Sequence, residues 1–425
     1  MQLFDFLLGV YIVCMASCLI LYLPRLRCWL YARYRQPRLV AKTKRNLAVI
    51  IPARNESAAI PPLLESLGRQ TYPKEYFDVH VIVKEPDDPT IAIAGKAGAR
   101  VHVVRGQKCK GDALDACLKD ILTDEPTRYD NYIIVDADCI LDEKFLEEMN
   151  NAAESGAEII TSKKKVKNYF YGNRETQPLS ACCNGIIWTL MDNMGNAAKS
   201  KSGMPCFVVG TGLMLRADIV RQNGGWPYRA TVTEDVELQQ DTVLQGWKTF
   251  YYQYAVLYME EATNHHVTNK RRRRWMTGVV DSKRLYAPKI AADAKARHRH
   301  REIYHTRNLW IVYLFVGLAT LFFAANAVTA IVLSTFRVAE WFYAARNAAV
   351  GFLTVYLMFF VMTAVALFAD WENIRIPFYR KIELLFVHPL FYMEYIPIVG
   401  VALFTGFGRT WDAIDRVSFA ENEGK

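Results

Sequence analysis

Tyr132-Ile133-Ile134-Val135-Asp136-Ala137-Asp138 runs a short apolar segment straight into two carboxylates one residue apart. A brief apolar run bounded by charge or a turn reads as a strand buried on both faces, as in parallel sheets. Working upstream, Leu47–Pro52 (LAVIIP) is a second run of this kind, closed by a proline. Residues 79–83 and 101–104 supply two more. Between the runs the period changes. Ile60, Leu63, Leu64 and Leu67 predict a helix over 58–70, and 91–99 and 110–122 read as helices too. Strands alternating with helices imply βαβ units and a mostly parallel, Rossmann-like α/β sheet. Ligands of such sheets bind beyond the carboxyl ends of the strands. Asn55, Glu85 and Asp136 each sit just past a strand end, so they are expected to line one crevice. Downstream, 157–162, 206–215 and 248–252 read as further strands, 224–227 as a turn and 235–245 as a helix.

The ends of the chain have a different character. The whole sequence is 52% hydrophobic, and its mean hydropathy of +0.02 averages a polar middle with apolar flanks. Residues 1–23 are apolar for about the 20 residues that a bilayer requires. They lack the basic start and small-residue cleavage site of a signal peptide, so a retained transmembrane helix is expected. Arg25, Arg27, Arg33, Arg35 and Arg38 follow it, and Lys270 through Arg274, Lys283 and Arg284 precede the next apolar run. The positive-inside rule then puts both flanks in the cytosol and the N-terminus outside, in a multi-pass protein of the plasma membrane. The net charge of +9 follows from this topology and from anionic headgroups of membrane lipids, so nucleic acid is not an expected partner. The nine cysteines show no zinc spacing, and free buried thiols are expected.

The expected organisation is therefore a transmembrane helix over 1–24, a basic linker over 25–45 and a cytosolic domain over 46–290. A basic juxtamembrane segment over 291–308 and a transmembrane hairpin over 309–369 follow. An interfacial helix is expected over 370–383, where aromatic, basic and apolar residues mix. A third apolar segment and tail occupy 384–425. Pro389, Pro397 and Gly400 break that segment, which reads equally as a span or as a re-entrant piece.

Three motifs carry chemistry. Asp136 and Asp138 at a strand end suit a hard divalent cation, Mg2+ or Mn2+, shared with diphosphate oxygens. Thr233-Glu234-Asp235 opens a helix. Thr233 is a natural N-cap there, and Asp235 is placed to act as a general base on a hydroxyl. Arg271-Arg272-Arg273-Arg274-Trp275 offers guanidinium forks for phosphate and an indole face for a sugar ring. A headgroup anchor is the plainer reading of four arginines.

The order and spacing of these motifs, with apolar segments at both ends, resemble the membrane-bound family 2 glycosyltransferases over about residues 45–290. That family includes cellulose, chitin-oligosaccharide, hyaluronan and poly-N-acetylglucosamine synthases and the related ceramide glucosyltransferase. The resemblance implies a GT-A-type fold and an inverting, processive transferase that extends a β-linked polysaccharide from a UDP-sugar. It also implies roles by position. Pro52, Ala53, Arg54, Asn55 and Glu56 match the first nucleotide-binding loop, and Lys110, with Gly111, Ala113 and Leu114, the segment that approaches the nucleotide. Asp136 and Asp138 match the metal motif. Gly210, Thr211 and Gly212 match the small-residue stretch near the acceptor, joined there by Glu234. Asp235 matches the base, Arg274 a pyrophosphate ligand and Trp275 the platform beneath the acceptor sugar. Arg271 replaces the family's glutamine, as in lipid-glucosylating relatives, which leaves a glycolipid product as an alternative. Glu85 aligns with the base-binding acid, with Asp87 behind it. Trp411 matches a gating segment, or else is an interfacial anchor. Few spans are available for a polymer pore, so a homo-oligomeric channel is one expectation. A non-catalytic scaffold that keeps the fold is a third reading.

Overall fold

The computed structural model describes residues 2–29, 35–172, 177–297 and 300–405. Its centre is an eight-stranded sheet with the order β3-β2-β1-β4-β7-β6-β8-β5. The strands are β1 (Leu47–Pro52), β2 (Phe77–Val83), β3 (Arg100–Val103), β4 (Asn131–Ile134), β5 (Ile140–Leu141), β6 (Ile159–Val166), β7 (Leu213–Arg216) and β8 (Thr249–Met259). The half formed by β3, β2, β1 and β4 is parallel throughout. Strand β7 lies antiparallel to both β4 and β6, and β6 then pairs in parallel with β8.

Side-chain alternation along the strands divides the core into two layers, as a period of two requires. Leu47, Val49, Ile51, Val81, Val83 and Ile133 pack on one face. Ala48, Ile50, Ile82 and Ile134 pack on the other, against Leu114, Cys117 and Leu118 of the helix Lys110–Asp124. Both layers are dry, which explains why these strands read as continuous apolar runs.

The second half of the sheet departs from the expectation. Residues 206–212 are irregular, and only Leu213–Arg216 pairs as β7. One glycine accounts for this. Gly212 takes a left-handed φ of 63°, and a Cβ there would come within 2.0 Å of Ser162 Oγ. Strand β6 continues past the expected end, through a register shift between Ser162 and Lys163. The bulge bends the strand and carries its lysines toward the C-terminal helices.

Among the described residues, four helices are long and apolar enough to cross a membrane: Gln2–Leu23, Val312–Thr335, Trp341–Ala369 and Phe378–Phe404. Tyr11, Met15 and Cys18 of the first pack with Phe315, Ala319, Val355 and Phe359 of the next two. The last is made of two pieces, Phe378–Met393 and Tyr395–Phe404, which meet at Glu394. The single interfacial helix expected over 370–383 is not formed. Residues 370–377 turn around Asp370, whose carbonyl accepts from the Asn373 and Ile374 amides. The helix starts at Phe378, directly after Pro377, because a proline fits only where no helical N–H is needed. The boundary expected at 290 falls inside one uninterrupted helix, His265–Arg297.

Candidate active site

The residues after β1, β2 and β4 meet at one end of the parallel half. Ala53 donates its N–H to the Ile82 carbonyl at 2.8 Å, which ties the first loop to β2. Asn55 then adopts a left-handed φ of 56°, a conformation that asparagine tolerates better than most residues. Its N–H donates to Asp88 Oδ2 at 2.9 Å, while Asp88 Oδ1 accepts from the Thr90 N–H at 2.9 Å. The buried Asp88 thus joins the two loops. Arg54 and Glu56 flank this junction half-buried, and the Glu56 carbonyl starts the turn that leads to Ile60. Glu85 and Asp87 are both exposed, Glu85 lying 3.7 Å from Lys84 Nζ.

At the end of β4 the carboxylates gather around one ammonium group. Lys110, the first residue of its helix, reaches Asp136 Oδ1 at 2.6 Å and the Gly210 carbonyl at 2.7 Å. Glu234 Oε1 lies 3.5 Å from the same nitrogen. Asp235 Oδ2 accepts from the Gly210 N–H at 2.9 Å, and its Oδ1 from the Val236 N–H at 2.9 Å. Thr211 Oγ1 accepts from the Asp136 N–H at 3.0 Å. The Gly210-Thr211-Gly212 stretch is therefore the joint between Asp136 and Asp235. A Cβ on Gly210 would sit 3.1 Å from both Glu234 Oε1 and Lys110 Nζ.

Charge here is set by burial and by neighbours of opposite sign. Burial would lower the Lys110 pKa, but Asp136, Glu234 and Asp235 outweigh it and hold the ammonium above its ordinary value. Burial raises the pKa values of both Glu234 and Asp235. Lys110 offsets part of that rise in each, and the Gly210 and Val236 amides help at Asp235. The carboxyls are thus held closer to neutral pH than an exposed acid would be, a state suited to proton transfer.

Asp138 is buried to 7% exposure, one turn inside the crevice from Asp136. The neighbouring Cys139 thiol approaches its Oδ1 at 3.8 Å. Nearby lies a second acid pair, Glu260-Glu261, directly after β8. Glu261 receives the Trp188 indole N–H, and its backbone is clasped by Asn168 through contacts of 2.9 and 3.1 Å. Burial raises the Glu261 pKa; Arg271 opposes the rise and Asp138 adds to it. Lys167 Nζ lies 3.7 Å from Glu260. The sequence reading missed Glu260 and Glu261, although two acids at a strand end are the signal that singled out Asp136 and Asp138.

The arginine run lies on His265–Arg297, and its members have different surroundings. Arg271 is almost buried and donates from Nη1 to the Glu260 carbonyl at 3.5 Å. Arg273 is exposed, while Arg274 and Trp275 are half-buried. Arg272 is fully buried against the C-terminal helices: it meets Glu394 at 3.0 Å and the Phe391 carbonyl at 3.2 Å. Its guanidinium also stacks 3.6 Å from the Phe391 ring centroid and 4.5 Å from that of Tyr395. This helix reaches the Thr233 turn because Gly278 has no side chain. A Cβ there would meet Thr233 Cγ2 and Oγ1 at 2.4 Å. Thr233 holds the N-cap position, but its side chain makes no capping hydrogen bond. It faces Thr231 and Gly278 instead.

The structure thus brings Lys110, Asp136, Gly210, Thr211, Glu234 and Asp235 into one contact network, with Asp138 two residues on from Asp136 and Arg271 on the Glu260 carbonyl. Gly212 lies just behind, against β6, and Pro52 closes β1. Trp411 lies outside the described residues. A cavity lined by Arg45, Asp130, Arg216 and Arg221 is at the opposite end of the strands and includes none of these residues.

Comparison with known proteins bears on the family and the fold. The family model described as glycosyltransferase-like family 2 matches residues 44–278. The chain is similar in fold to the mannosyltransferase PcManGT from Pyrobaculum calidifontis, solved in complex with GDP-Man and Mn2+. The TM-score is 0.53 at 18% identity, covering 81% of this chain and 98% of that one. S. aureus TarS 1-349 in complex with UDP-GlcNAc gives a TM-score of 0.37 at 16% identity, covering 77% of this chain and 92% of that one. No curated protein matches the chain.

Proposed function

The chain belongs to the glycosyltransferase-like family 2, and from that premise we propose an inverting transfer of a sugar from a nucleotide diphosphate donor to a hydroxyl acceptor beside the membrane. The observation that carries this reading is the convergence of Asp136, Lys110, Glu234 and Asp235 at the carboxyl end of the sheet. The arginine helix beside them leads directly to the apolar helices. A UDP-sugar is the donor we favour.

Asp235 takes the proton of the acceptor hydroxyl as that oxygen attacks the anomeric carbon. The Gly210 and Val236 amides hold its carboxylate at a helix start, which fixes its direction. The donor set of Asp136 and Asp138 consists of hard oxygens, one half-exposed and one buried, and so fits Mg2+ or Mn2+. When bound, that ion would neutralise the leaving diphosphate. Lys110 turns from Asp136 to the phosphates, Arg271 and Arg274 add guanidinium forks, and Trp275 gives the acceptor ring an apolar face. Pro52 through Glu56, with Glu85, border the nucleoside. Glu234 and the Gly210–Gly212 stretch border the acceptor.

A growing β-linked polysaccharide is the proposed acceptor. Arg272 ties the crevice helix to the last apolar helix, so a lengthening product would emerge against the bundle. Transfer to a lipid is the second reading, favoured by the packing of that bundle. Tyr11 stacks on Phe322 at 4.0 Å, and Phe359 meets Tyr392 at 4.7 Å, so these apolar helices pack directly on one another. We also propose that the catalytic half faces the cytosol and the N-terminus lies outside.

The test is a donor panel on the detergent-purified chain with magnesium or manganese. UDP-glucose, UDP-N-acetylglucosamine, UDP-galactose, UDP-glucuronate and GDP-mannose are followed for nucleotide release and product size. Release with a high-mass product supports the synthase. A small lipid-extractable product selects the second reading, and no release from any donor overturns both. Asp138→Ala is expected to lose metal-dependent nucleotide binding in a titration, and unchanged binding would remove it from the ligand set.

A further inference from the structure

On the sheet face covered by Lys110–Asp124, three soft or borderline ligand atoms converge away from the crevice. One ring nitrogen each from His80 and His102, together with Cys117 Sγ, all lie within 4.8 Å of one another. His80 and His102 come from the neighbouring parallel strands β2 and β3, and Cys117 descends from the helix above. His80 and Cys117 are buried, at 1% and 0% exposure. We propose that His80, His102 and Cys117 form a structural site for a zinc-like transition-metal ion, which pins the helix to the edge of the sheet.

The hydrogen-bond chain around the three residues sets their proton positions. The Tyr129 hydroxyl donates to Asp78 Oδ2 at 2.7 Å, so its oxygen accepts from His80 Nε2 at 3.0 Å. His80 is then protonated on Nε2, and its Nδ1 presents a lone pair inward. That lone pair faces His102 Nε2 at 3.0 Å, so His102 supplies the shared proton. On the outer side, His102 Nδ1 lies 3.5 Å from Asp120. Each histidine therefore has a backing group on its outer nitrogen and an inner nitrogen aimed at the cluster, the arrangement that orients metal-binding imidazoles.

An ion replaces protons here, and the balance is simple. His102 passes to its other neutral tautomer, with its proton on Nδ1 facing Asp120, the Cys117 thiol proton leaves to solvent, and two neutral imidazole nitrogens and a thiolate become the ligands. A water fills a fourth position. Tetrahedral zinc with nitrogen bonds of about 2.0–2.1 Å separates its ligand atoms by roughly 3.3–3.7 Å. The two nitrogens must spread by only a few tenths of an ångström from their 3.0 Å contact. Two nitrogens and one sulfur select zinc or cobalt over magnesium and manganese, which prefer oxygen. The site therefore differs in chemistry from the carboxylates of the crevice.

The experiment titrates the full-length, detergent-purified Asp138→Ala protein with Co2+, which separates this site from the crevice pair. A single equivalent should produce a thiolate-to-cobalt charge-transfer band, and Zn2+ should displace it and raise the midpoint of thermal unfolding. Cys117→Ala should abolish the band. His102→Ala, at a half-buried position, should abolish the thermal shift. The proposal is overturned if Co2+ gives no band, if the band survives in Cys117→Ala, or if Zn2+ stabilises His102→Ala as much as its parent.

Discussion

Arg271 and Arg272 are neighbours in sequence and opposites in setting. Arg271 sits on the Glu260 carbonyl, beside the acid pair Glu260-Glu261 and in the same domain as the crevice where Asp136, Glu234 and Asp235 gather around Lys110. Arg272 enters a closed pocket where one guanidinium meets Glu394, Asn184, the Phe391 carbonyl and two aromatic rings. The first region has an excess of negative charge and access to solvent, so it is poised to take up a cation and a charged substrate. In the second region a fully buried guanidinium is held by an ion pair, a carbonyl and two rings, so it contributes rigidity. One helix serves both because adjacent residues point about 100° apart around its axis.

Mutations should separate the two regions. The largest effect is expected for Asp235→Asn, which keeps the shape of the crevice and removes the base. Turnover should fall about 10³-fold or more with nucleotide affinity retained, as general-base losses do. A variant that loses nucleotide affinity instead would assign Asp235 to donor binding. Arg272→Ala should do the reverse. It strips a buried cation and its ring contacts, at a cost of about 3 kcal/mol in stability. Chemical denaturation of the purified protein checks this, and an unchanged midpoint would mean that the clamp is not needed for stability. Gly278→Ala should lie between, costing about 1–3 kcal/mol as an overpacked contact. Because it presses on Thr233, a lowered turnover with intact nucleotide binding is expected alongside.

The smallest and most specific effect concerns pH. Glu234 and Asp235 have raised pKa values from burial, and Lys110 holds them down in part. The base works only when ionised, so the rate falls as pH drops through its folded pKa. Lys110→Met removes the positive charge and lets that pKa rise further. The acidic limb of the pH–rate profile should therefore move to higher pH. A limb that moves to lower pH, or stays fixed, would show that another group controls it.

Much of the parallel half could be read directly. Strands β1 and β4 are buried apolar runs, and the residues after β1, β2 and β4 line the crevice, so apolar runs and strand ends carried the signal. The other half could not, because its geometry depends on partners. Strand β5 is two residues long and exists only because β8 pairs with it. The irregular path of 206–212 follows from the approach of Ser162 to Gly212, which no local pattern announces. The arginine run named phosphate ligands but gave no sign of which guanidinium turns away, because four identical residues look alike until the bundle packs. Asp88 was passed over for Glu85 and Asp87 because alignment with the resemblance, not backbone tethering, guided the choice. The spacing of His80, His102 and Cys117 resembles no metal motif, since two strands and a helix are needed to bring them together.

The missing side chain at Gly278 has a mechanical consequence. At that point the arginine helix and the Thr233 turn touch without a cushion, so the helix acts as a stiff lever with its fulcrum beside the proposed base. Its far end leads into the apolar bundle. Strain applied there by a thinner bilayer or a harsh detergent would reach Asp235 as a change in aim, and turnover would register the surrounding membrane before the fold does.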